Sequence, residues 1–280
     1  MSDTPAPAPV SLRLRDVPAA RGAQWVRQAL RLFARKPLGF TALFTAFLFA
    51  ALLALIVPYV GALVLLASMP VLTLAFMLAS RDALADVSPT PALLVTPLRA
   101  DARRRRDLLL LGLAYAVTTV IVAWVIDSVD DGAFGRLQAA LSQGEAGRAE
   151  AQALLESSGL QWGMVLRIAL MGLMSVPFWH APALVYWGGQ SVAQSLFSST
   201  IAVWRARGAF FVYALAWAAV VVLFSLLLTL VFSVLDSREW VVLAAMPAGL
   251  MFSTVFYVSL HFTFVDSFEA VGPAEATPVA

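Results

Sequence analysis

The sequence predicts an all-α membrane protein: six transmembrane helices preceded by a basic amphipathic interfacial helix, with both termini cytoplasmic. Three observations predict it. The 280 residues are 61% hydrophobic and only 13% charged, with mean hydropathy +0.83. A soluble domain carries about a quarter charged residues and could not hide this much apolar surface. The apolar residues are gathered into five stretches almost free of charge, at 38–80, 108–126, 162–187, 209–235 and 240–265. The arginines lie overwhelmingly on one side of those stretches.

The N-terminal residues MSDTPAPAPV are rich in proline and alanine, and 1–17 is expected to be a disordered tail. Between 18 and 36, Arg21, Gln24, Gln28, Arg31 and Arg35 fall on one helical face. Trp25, Ala29, Leu32 and Phe33 fall on the other. This pattern fits a helix lying in the inner interface with its tryptophan at headgroup depth. Pro37 ends it and starts the first span.

The stretch 38–80 has 43 residues without Asp, Glu, Lys or Arg. As a single helix it would be about 65 Å long, twice the hydrocarbon thickness of about 30 Å. Pro58 and Gly61 lie near its middle, so it reads as two helices, 38–57 and 60–80, joined by a tight hairpin. The alternative is a re-entrant second segment. The remaining spans are 108–126, 162–187, 209–235 and 240–265. Together they give one six-helix domain over 18–267, with an outer loop at 127–161 and a disordered tail at 268–280.

Arginine placement orients the bundle. The N-terminal segment, the loop 81–107 and the segment 188–208 hold fifteen basic residues, against three in 127–161 and the last turn. Both termini are then cytoplasmic. No cleavable signal peptide is evident, and the first span is expected to target the chain. Eighteen arginines against one lysine fit a GC-rich bacterium, and the inner membrane is the expected location. The outer loop contains Asp127, Asp130, Asp131, Glu145, Glu150 and Glu156 without calcium-loop spacing. It reads as a solvated acidic face beside a short amphipathic helix. The segments before the third and fifth spans resemble each other as a weak hairpin repeat.

Chemistry is sparse. Absence of cysteine excludes disulfides and thiolate sites. No P-loop, H-E-x-x-H or G-x-S-x-G motif occurs, and the spans contain no acidic residue for a proton or sodium relay. The expectation is a protein that is not an enzyme and has no cofactor, no metal and no nucleic-acid partner. Three ionisable residues lie inside spans. Arg167 either snorkels to the outer interface, binds an anionic headgroup, or pairs with Asp127 or Asp236. His180 and His261 lie at matching depths, where they either meet as a weak proton or metal site or serve as interface anchors. Pro70, Pro177, Pro182 and Pro247 all fall in inward-going helices. Their kinks either line a cavity or simply shape the bundle.

The strongest polar signal is basic. Arg27, Arg31 and Arg35, spaced by four, form one row on a helix. Arg103, Arg104, Arg105 and Arg106 open the third span on the same side. These seven are the candidate ligands for anionic lipid headgroups. Two roles follow. One is a non-enzymatic protein that organises lipids or a protein partner, including a second copy of itself. The other is a transporter or channel for a small apolar or lipid-like molecule.

The run VPAARGAQW at 17–25, followed by Ala29, Leu32, Phe33 and Pro37, and the hairpin end MPVLTLAFMLASRDAL at 69–84 carry a family cadence. They resemble an uncharacterised family of proteobacterial polytopic inner-membrane proteins. The layout is more distantly similar to the membrane domains attached to some glycerophosphodiester phosphodiesterases. The closer resemblance implies a topology but no catalytic residue, and the chain has no soluble region long enough for a phosphodiesterase domain.

Overall fold

A computed structural model describes residues 11–234 and 240–271. Six of its helices are long and apolar enough to cross a membrane. The first helix, α1 (Arg21–Arg35), is amphipathic and ends where Lys36 turns away from helical geometry. Pro37 then takes the first turn of α2 (Pro37–Leu55), where its missing N–H is unneeded. The long apolar stretch does break in two. Helix α3 (Val60–Leu84) starts after Pro58, with Tyr59 at φ 60°. Gly61 is required there, because any side chain would strike the Ala54 carbonyl at the end of α2. That contact sets the tight hairpin.

Two 3₁₀ turns (Pro91–Leu94 and Thr96–Arg99) close under α2 and α3 before α4 (Ala102–Val129). Helix α4 starts six residues earlier than its apolar run, since the Asp101 carboxylate accepts the Arg104 backbone N–H at 3.0 Å. The four arginines therefore belong to its first turns. In the outer loop, the single short helix expected is two, α5 (Ala133–Ser142) and α6 (Arg148–Glu156), divided at Gly144 with φ 60°.

The fourth span is broken. Helix α7 (Ser158–Phe178) stops, and α8 (Ala181–Tyr186) restarts with Pro182 in its first turn. The following segment contains α9 (Val192–Arg205), capped by the Ser191 hydroxyl. Helices α10 (Arg207–Val234) and α11 (Trp240–Ser267) complete the bundle.

The tails depart from expectation. Residues 11–14 and 268–271, both expected to be disordered, form an antiparallel pair, β1 (Ser11–Leu14) with β2 (Phe268–Val271), Leu14 facing Phe268. Leu12 and Leu14 pack on a cluster with Leu184, Leu260, Phe264 and Phe268. The gain from that burial orders backbone that neither tail could order alone. Residues 1–10 and 272–280 lie outside the described residues.

The main core joins α1, α2, α3 and α11. Phe40 stacks on Phe76 at 6.4 Å, with Leu43, Leu72, Val255 and Val258 around them. Helix α1 does not rest on the surface by its apolar side alone. Trp25 is completely buried, within a cluster containing Val26, Ala209 and Tyr213. Helices α10 and α11 cover its indole.

Candidate functional site

The polar face of α1 is divided into two jobs. At its start, Arg21 forks onto Asp266 near the end of α11, with Nε–Oδ2 2.7 Å and Nη2–Oδ1 2.6 Å. Trp25 Nε1 donates to the same carboxylate at 2.6 Å. The hydrogen bonds that Arg21 donates to Asp266 raise its pKa above the ordinary value, against the opposing effect of burial. This clasp fixes the angle of α1. Farther along, Arg27, Arg31 and Arg35 are all exposed, and none pairs with a carboxylate among the described residues. The helical row expected from their spacing is present and free.

The second basic group is less uniform. Arg105 and Arg106 are exposed, and Arg103 reaches Asp107 at 4.0 Å. Arg104 is buried, with its guanidinium 3.4 Å from Asp101. A quartet on consecutive helical positions points in four directions, 100° apart. One of them has to face the bundle, so Arg104 leaves the expected headgroup surface.

At the other end of the bundle, Arg167 pairs with Asp127 at 3.1 Å and Asp130 at 3.6 Å, and lies over the Phe134 ring at 4.3 Å. Of the alternatives, it takes the structural pair. Asp236 lies outside the described residues. Asp130 is buried and accepts the Gly132 N–H at 3.0 Å, so it is no part of a solvated acidic face.

The histidines have separate surroundings. His180 is fully buried, its ring 5.5 Å from Phe268, 5.9 Å from Phe264 and 6.1 Å from Phe210. His261 packs on Phe262 at 5.7 Å. No hydrogen bond or ring contact joins the two among the described residues, and no cluster of three or more metal-ligating side chains occurs there.

Of the four prolines, Pro70 alone lines a cavity. Pro177 and Pro182 flank the gap between α7 and α8, where helical hydrogen bonding fails. Ser199 of α9 repairs it. Its hydroxyl donates to the Val176 carbonyl at 3.0 Å and accepts the His180 backbone N–H at 3.0 Å. This is how a break at membrane depth becomes tolerable. Two prolines five residues apart in one span, with serines in the next segment, were the available signal. Ser199→Ala is expected to cost about 1–3 kcal/mol by stranding the His180 N–H, while the Val176 carbonyl keeps the Trp179 N–H at 3.4 Å. Thermal unfolding in detergent checks this, and a melting point equal to wild type would refute the staple.

Above the break lies a cavity of 130 Å³ lined by Pro70, Tyr115, Ser175, Trp179, Tyr257 and others, without a charged side chain. It adjoins an open groove of 690 Å³ between α7, α10 and α11, again without charge, sharing Ser175, Trp179, Phe256 and Tyr257. The structure thus brings Pro70 and the Pro177 break to one cavity. Pro177, Pro182 and Pro247 themselves line neither of these spaces.

Six apolar helices, a helical pair between the third and fourth spans and a strand-tied pair of tails define a multi-pass all-α membrane protein. Over 263 residues the chain is 30% identical to a probable inner membrane protein of Burkholderia thailandensis, covering 94% of this chain and 96% of the relative. The chain belongs to that family of inner-membrane proteins. No family model and no solved structure matches it.

Proposed function

We propose that this protein is a non-enzymatic organiser of anionic lipid at the cytoplasmic face of the inner membrane, with both termini on that side. The observation that carries the reading is the free row of Arg27, Arg31 and Arg35 on a helix locked to the bundle by Arg21, Trp25 and Asp266. A docked helix presents its charges without further ordering cost. Each arginine near an anionic leaflet contributes about 1 kcal/mol of attraction, screened by salt. Arg105 and Arg106 add to the same side in the oriented bundle.

The expected result for Arg27→Gln, Arg31→Gln and Arg35→Gln together is normal insertion with a several-fold loss of copurified phosphatidylglycerol or cardiolipin. Reporters fused after residues 100 and 200 should stay cytoplasmic and one near 145 periplasmic. Wild-type levels of anionic lipid on the triple variant would reduce the row to an orientation signal and overturn the reading.

A second reading is a transporter or channel for a small apolar or lipid-like molecule. The cavity beside Pro70 and the break after Phe178 favours it, and the absence of charge in the lining restricts the cargo to apolar chemistry. The distant likeness to phosphodiesterase-linked membrane domains is compatible with either reading.

A further inference from the structure

Helix α10 is poorly embraced by the rest of the bundle. It leans on α1 at its start, and from Ala214 to Val231 it has no buried residue. Helix α7 packs mainly on α4 and α9, which leaves the 690 Å³ groove between α7, α10 and α11 open sideways. The volume falls within the range of about 300–1,000 Å³ common for small-molecule sites. Its walls are Trp179, Phe210, Tyr213, Trp217 and Phe256, with the small residues Gly172 and Ala214 leaving the width. In a bilayer, a lateral apolar groove is reached by hydrocarbon before anything else.

A cation stands just beyond the Phe210 end of the groove, outside its lining. Arg207 lies one helical turn before Phe210, on the same face of α10. The nearby cations Arg15, Arg21 and Arg205 have carboxylate partners in Glu269, Asp266 and Asp16. Arg207 has none among the described residues, and its guanidinium sits 5.7 Å over the exposed Trp204 ring. It is also the first residue of α10, where the helix dipole is positive and disfavours a cation. An anion placed there answers both charges. A tryptophan beside it suits headgroup depth.

We propose that the groove binds one acyl chain of an anionic phospholipid, with the phosphate held by Arg207. The site uses residues distinct from the α1 row and adds to the lipid-organising reading a specific bound lipid. The same molecule satisfies the apolar walls and the unpaired cation at their end, which neither a free inorganic anion nor a neutral hydrocarbon does.

The test uses the full-length protein in detergent, in the Arg27→Gln, Arg31→Gln and Arg35→Gln background, so that failure of the row leaves it unaffected. Delipidated protein is titrated with phosphatidylglycerol or with diacylglycerol of identical chains, which lacks the phosphate, and read by native mass spectrometry. Phosphatidylglycerol is expected to bind about five-fold more tightly, the contribution of one interfacial arginine. Arg207→Gln should abolish that preference while keeping chain binding. Gly172→Trp should lose both lipids, since open space surrounds the position a Cβ would take there. Ala214→Trp fills the groove from the opposite wall and serves if Gly172→Trp does not fold. Unchanged binding in a folded tryptophan variant overturns the chain site. An undiminished preference in Arg207→Gln overturns its role as the phosphate ligand.

Discussion

Gly22→Leu is expected to lower the melting point of the detergent-solubilised protein and to free α1 for proteolysis. Helix α1 crosses α10 so closely that a Cβ at residue 22 would overlap the Ala209 carbonyl and lie 2.6 Å from the Tyr213 backbone nitrogen. Both obstacles are main chain in a continuous helix, and neither can swing aside. Relief requires α1 to move away, which uncovers Trp25 and Val26 and pulls Arg21 from Asp266. Overpacking alone costs about 1–3 kcal/mol, and loss of the clasp adds to it. Gly135→Leu is the control, because nothing lies within 4 Å of its would-be Cβ. Equal melting of the two variants would mean that α1 is not docked as described.

Asp266→Asn removes the charge that holds α1 while keeping the side-chain shape. Trp25 retains an acceptor, but the Arg21 guanidinium loses its counter-ion inside a half-covered pocket. Breaking a fully buried pair costs about 3–5 kcal/mol. The Arg21 side chain here is 35% exposed, and solvent screening brings the expected loss to about 2 kcal/mol. In a double-mutant cycle with Arg21→Gln, the second substitution should cost little once the first is made. Strict additivity would show that the pair contributes nothing. The raised guanidinium pKa means that its stabilisation is in force at neutral pH. It disappears only in strong alkali, as the pH climbs through the folded-state value.

These two effects lie in a part of the molecule that the sequence only outlined. The amphipathic pattern marked 18–36 as a helix and sorted its apolar side, including Trp25, from its arginines. It did not separate Arg21, which is clasped, from Arg27, Arg31 and Arg35, which are free. All four read as basic residues on one helix, and their difference is made by a single carboxylate at the far end of the chain. No spacing in the sequence pairs Asp266 with Arg21. The arginine run behaved similarly: the sequence placed it at the start of the third span, while the packing of α4, capped by Asp101, decided that Arg104 turns inward.

Composition and apolar run length by themselves determined the class of this protein, the number of its spans and the hairpin at Pro58. Those features follow from bilayer thickness and from backbone groups that hydrocarbon cannot solvate, so they are local and additive along the chain. Tertiary structure alone decided the rest: the strand pair between the tails, the Ser199 staple across the broken fourth span, the burial of Trp25 and the groove beside α10. Each joins residues from different elements, and its free energy exists only after the helices have packed. Hydropathy records how much surface a segment must hide from water; it contains no term for which neighbour hides it.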